Sequence, residues 1–155
     1  MRVQGAAWGD KFGLLYGSQI PNKIKVFGWR ACNDILPTKL NLLKRKIIDD
    51  AMCPICMRFS ELAIHGFWEC EVAKDVWSGS LKILQKGVLG LADLIHLMEY
   101  LLDRVEIQDM EVVLVQAWLI WNQRNRVVHG GKFHDPGWSI NRTRELLEEF
   151  RTAQE

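Results

Sequence analysis

Apolar side chains recur at helical spacing along most of the chain, and nowhere does apolar–polar alternation run far enough to predict a strand. After Pro21, well placed at a helix start, Ile24, Phe27, Ala31 and Ile35 form one stripe and predict a first helix. Leu36-Pro37-Thr38 breaks it, and Thr38 suits the N-cap of a short second helix through Leu40, Leu43 and Lys44. Val72, Val76 and Trp77 mark another helix, punctuated by Ser78-Gly79-Ser80, with a second break at Gly87 to Gly90. Leu91 to Val105 reads as amphipathic, with Leu94, Leu97, Met98, Leu101 and Leu102 inward. Gln108 to Val128 is apolar nearly all round in its middle and predicts a deeply buried helix, ended by Gly130-Gly131. Asp135-Pro136-Gly137 predicts a turn, and Trp138 to Arg151 a last helix through Ile140, Leu146, Leu147 and Phe150. Met1 to Gln19 reads as a short helix or irregular lead-in.

The expected fold is therefore mostly α: a small helical domain over residues 8–80 and a helical second part over residues 91–152. With 155 residues, 48% hydrophobic and 25% charged, the chain has the composition of a globular protein and is long enough to bury a core without help. No apolar leader occupies Met1 to Gly13, and the apolar run Val112 to Trp121 is far shorter than the ~18 residues of a membrane span. These features predict an intracellular protein, nuclear or cytoplasmic, whose thiols stay reduced.

Cysteine placement changes the picture. Cys53, Cys56, His65 and Cys70 follow the spacing C-x2-C-x8-H-x4-C, while the remaining 137 residues hold one further cysteine, Cys32. Two thiols three positions apart form a knuckle aimed at one point, and a later His/Cys pair can complete the tetrahedral N/S shell that zinc prefers. The competing reading is of ordinary buried cysteines beside a satisfied histidine. His65 and Cys70 are five apart, which on a regular helix separates them by about 140°. A distorted turn between them is expected. A closed four-donor shell leaves no position for water and predicts a structural Zn2+ rather than a catalytic one.

The same stretch resembles the zinc-binding domain that follows the reverse transcriptase in plant LINE-type (non-LTR) retroelements and their derived genes. The likeness begins at Leu15-Tyr16 and includes Ile20-Pro21-Asn22-Lys23-Ile24-Lys25-Val26-Phe27-Gly28-Trp29-Arg30, Asn33, Leu36-Pro37-Thr38 and Asn41-Leu42-Leu43-Lys44-Arg45. It continues through Cys53-Pro54-Ile55-Cys56, Glu61, His65, Cys70, Ala73 and Trp77. A second stretch, Trp118-Leu119-Ile120-Trp121-Asn122-Gln123-Arg124-Asn125, is similar to the W-x-I-W-x-x-R-N segment that lies before the RNase H domain in these elements. Met57 and Lys46 depart from the pattern, standing where the family usually has Gly. The resemblance implies an accessory module beside a polymerase, with retroelement reverse transcriptase or RNase H portions as candidate partners.

Charge suggests the rest. Residues 1–60 carry ten Lys/Arg against four Asp/Glu, and residues 61–155 carry ten against fifteen, a balance of +6 followed by −5. Lys23, Lys25, Arg30, Lys39, Lys44, Arg45 and Lys46 against Asp34 give seven minus one, +6, over residues 22–46. This run is a candidate phosphate-binding face for RNA or DNA; the alternatives are a solvated helical face or attraction to the acidic half. Neither a nucleophile–base pair, nor a two-metal carboxylate cluster, nor a phosphate-cradling glycine loop is evident, so no catalytic residue and no small-molecule substrate are expected. The sequence thus predicts a non-enzymatic, zinc-binding accessory module that contacts RNA or DNA, with a zinc-stabilised protein-interaction or vestigial domain as the alternative.

Overall fold

The computed structural model describes residue 13, residues 19–80 and residues 93–153. The lead-in around Leu15-Tyr16 and the break at Gly87 to Gly90 lie outside them. Six α-helices are described: α1 (Asn22–Cys32), α2 (Lys39–Lys44), α3 (Glu71–Ser78), α4 (Leu94–Arg104), α5 (Ile107–Val128) and α6 (Pro136–Ala153). A π-helical turn, His65–Glu69, precedes α3. No strand occurs among the described residues, only an isolated antiparallel bridge between Met52 and Ser60.

α5 is the axis of the packing. It buries Met110, Val113, Leu114, Val115, Leu119, Ile120 and Trp121, and α1, α4, α6 and the π turn all pack against it. The resulting cluster of buried side chains is continuous from Ile20 through Cys70 to Leu147, so residues of both sequence stretches share it. Gly28, in the interior of α1, fits this arrangement: a Cβ there would stand 2.7 Å from Leu114 Cδ1. The helix-propensity penalty of glycine, ~1 kcal/mol relative to alanine, is offset by the close approach of α1 and α5. Cys32 is packing: it is buried, and burial pushes its thiol up to about 12, beyond useful reactivity.

Thr38 caps α2, accepting from Asn41 N at 3.2 Å, as the sequence predicts. Asp93 caps α4 in the same way, accepting from His96 N, and the helix starts at Leu94; the expected start, Leu91, lies outside the described residues. Pro136 belongs to α6 rather than to a turn, because proline is as compatible with a first helical turn as with a bend. Ile35 is a further correction. It is 40% exposed, because α1 stops at Cys32 and a Schellman motif, Ile35 N to Arg30 O and Asp34 N to Ala31 O, turns the chain away from the stripe.

Three helix ends share that motif. Asp34 (φ 56°), Lys46 (φ 60°) and Gly130 (φ 90°) occupy the left-handed position after α1, α2 and α5, each helix closed by the same pair of backbone hydrogen bonds. Only the last uses glycine. The side chain of Asn41 reinforces the first of these ends, donating to Asp34 O, Asp34 Oδ1 and Leu36 O.

Candidate metal centre

Backbone geometry gathers the four predicted donors. Cys53 N donates to Phe59 O at 2.7 Å and Met57 N to Cys53 O at 3.0 Å, closing the Cys53–Cys56 knuckle. The turn requires a positive φ at Met57, 58°, at the position where a glycine was expected. Glu61 N then donates to Ala51 O at 2.8 Å, so the loop leaves the knuckle beside the point where it came in.

The distorted turn expected between His65 and Cys70 is the π turn. Cys70 N donates to His65 O at 2.7 Å, a bond spanning five residues in place of four. This wider turn undoes the 140° separation of an α-helix and lets residues five apart address one point. Cys70 then adopts an extended conformation (φ −58°, ψ 137°) and opens α3.

As a result, one donor atom from each of Cys53, Cys56, His65 and Cys70 lies within 4.8 Å of every other, and Cys56 Sγ stands 3.4 Å from His65 Nε2. In a tetrahedral zinc shell, with about 2.3 Å to sulfur and 2.0–2.1 Å to nitrogen, neighbouring donors sit about 3.5–3.8 Å apart. The donor set and its spacing therefore fit such an ion, with at most about an ångström to close. Cys53, His65 and Cys70 are buried and Cys56 is half-buried. The Phe59 ring lies 5.7 Å from the His65 ring.

The clustered donors perturb one another's protonation. The hydrogen bond to Cys70 and then burial push the Cys53 thiol up to about 12, while that same bond lowers Cys70. His65 is raised, chiefly by its bond with Cys53. An ion bound by these thiols would displace their protons.

One feature of the site escaped the sequence reading. Glu61, fully buried, accepts from Arg124 Nη2 at 2.6 Å and Nε at 2.9 Å, and its Oε1 also accepts from Lys39 N at 2.8 Å. Arg124 lies over the Trp121 ring, 4.5 Å from its centroid, and Nη1 donates to Asn125 Oδ1 at 2.9 Å. Trp121 in turn meets Phe67 of the π turn, with ring centroids 5.6 Å apart. Glu61 and the Trp-x-x-Arg-Asn run of residues 121–125 were each visible as motif residues; their pairing across 63 positions was not.

The basic residues are distributed unevenly. Lys44, Arg45 and Lys46 are exposed together at the end of α2, and Arg30 is exposed on α1. Lys23 lies over Trp118, 5.0 Å from the ring centroid, and Trp118 is half-buried and packed against the core. Lys39 borders a hollow with Asp49 and Asp50, and Lys44 another with Asp34 and Asp93. Among the described residues the ion pairs include Arg58–Glu71, Asp93–His96, Glu61–Arg124, Arg142–Glu145, Arg142–Glu149 and Glu111–Arg151, and none of these involves Lys44, Arg45 or Lys46.

Fold and site together define a mostly helical protein with a Cys3His metal-binding cluster. Residues 3–77 match the model of a family described as zinc-binding in reverse transcriptase, which supports a reverse-transcriptase zinc-binding domain over just under half of the chain. That family is a zinc-binding module, not a catalytic domain. No curated protein and no solved structure matches. Among the described residues no helix is long and apolar enough to cross a membrane.

Proposed function

We propose that the chain is a non-catalytic accessory module of a protein derived from a plant LINE-type retroelement, which holds one zinc ion and binds RNA or DNA through a basic surface. The convergence of Cys53, Cys56, His65 and Cys70 carries this reading. The ion would be held by these four side chains and would supply cross-linking of the knuckle to the π turn, with no open position for a substrate. The nucleic-acid part rests on Arg30, exposed on α1, and on Lys44, Arg45 and Lys46, exposed at the end of α2, with retroelement reverse transcriptase or RNase H portions as the neighbouring protein.

Salt dependence tests it. A face making about four phosphate contacts to a single strand should lose roughly fiftyfold in affinity between 50 and 200 mM salt, and Lys44, Arg45 and Lys46 replaced by Ala should flatten the slope by up to about two units. The triplet lies at an exposed helix end, so the variant should fold normally. An unchanged slope in the triple variant would remove the nucleic-acid reading. One observation then favours a zinc-stabilised protein-interaction domain: Ile47, Met57 and Phe59 are 62%, 64% and 60% exposed around the loop.

A further inference from the structure

We infer that Arg124 is a positioning residue for the metal centre, acting through Glu61, so that the zinc-holding unit includes α5, which lies beyond the segment matched by the family model. The inference rests on the metal-binding reading above and concerns what holds the donors in place. Glu61 stands between the two donor pairs, after Cys53 and Cys56 and before His65 and Cys70. Its side chain reaches the start of the π turn: a Cβ on Gly66 would lie 3.7 Å from Glu61 Oε2. The loop joining the two pairs is otherwise short of regular structure, with one isolated bridge.

α5 holds this loop at two adjacent points of one face. Arg124 takes Glu61 in a forked ion pair, and Trp121, one turn away, takes Phe67 of the π turn that carries His65. The knuckle's exit and the His65–Cys70 turn are thereby seated on the same helix. A carboxylate with no exposed surface is costly to bury, and removing its partner leaves an uncompensated charge inside the protein. The pair therefore dictates which helix the loop docks on and in what register, and the docked loop presents its donors already gathered. Groups that orient ligands without touching the metal characteristically govern affinity by 10–100-fold. By linkage, an ion at the four donors strengthens the docking of α5 as much as the docked helix strengthens the site.

The test is a metal titration of the full chain against a competing chelator, with Zn2+ for affinity and Co2+ for the spectrum of its thiolate shell. Arg124→Met should bind about 10–100-fold more weakly than wild type. Adding Glu61→Gln to Arg124→Met should restore only the part of the loss that comes from the lone charge and leave the part that comes from the missing fork. Arg124→Lys, which keeps the charge and loses the fork, should fall between and serves if Arg124→Met does not fold. A merely structural pair would lower stability equally with and without metal, leaving affinity and the Co2+ spectrum unchanged; either of those constancies in a folded Arg124 variant overturns the inference. Wild type that takes up no metal would instead defeat the proposed function itself.

Discussion

The metal loop, residues 51–70, and the α5–α6 pair reach burial by different physical means. α5 and α6 bury a continuous apolar surface, with Val115, Leu119, Ile120, Leu146 and Leu147 in the shared core, and Gln123 donating to Ser139 across the pair at 2.6 Å. The loop turns Met57, Arg58 and Phe59 to solvent, and beside the apolar Ile64, Phe67 and Trp68 it buries chemically functional groups, three metal donors and one carboxylate. Helix packing of the first kind supplies its own stability. A loop of the second kind needs its donors to be bridged and its charge to be paired.

Chelation should break the two apart most visibly. Structural zinc in small modules contributes ~10–16 kcal/mol of apparent free energy, comparable with the whole stability of a domain, ~5–15 kcal/mol. On metal removal, amides of residues 51–70 should lose hydrogen-exchange protection while those of α5 and α6 keep most of theirs. Uniform loss across the chain would erase the distinction.

Gly28→Ala sharpens the comparison from the helical side. The added methyl meets Leu114 Cδ1 at 2.7 Å and should cost about 1–3 kcal/mol despite the better helix propensity of alanine. The loss should appear equally in urea unfolding with and without metal, because the α1–α5 contact does not pass through the loop. A loss confined to the metal-loaded protein would show that the two regions are not separable there.

The smallest expected effects contrast the left-handed positions. Met57→Gly should relieve left-handed strain in the loop by about 0.5–1 kcal/mol, and only where the metal-loaded loop is formed. Gly130→Ala, at the end of α5, should cost about 1 kcal/mol with or without metal. Equal responses of the two variants to chelation, read from their melting temperatures, would contradict the assignment of Met57 to the metal-dependent region.

Much of this was legible because its causes are local. Thr38 announces its cap, Gly130-Gly131 announces a helix end, and the five-residue gap from His65 to Cys70 requires a turn wider than an α-helix. Met57 and Lys46 stand out as departures at positions where glycine was expected, and both carry the positive φ that makes glycine the usual choice. What was not legible is non-local or competes with a stronger local rule. Ile35 continues the helical period, yet the Asp34 turn removes it from the stripe. No feature of Glu61 or Arg124 in isolation marks a partner 63 residues away. The buried Gln116, whose amide finds no hydrogen-bond partner, follows from no sequence signal, and nothing in the structure explains it.

That Cys53, Cys56, His65 and Cys70 hold a single zinc ion is tested most directly by elemental analysis of the purified chain. One zinc per chain is expected, falling to none when Cys53→Ser and Cys70→Ser are combined. A chain without stoichiometric metal, or a double variant that retains its zinc, would contradict the account.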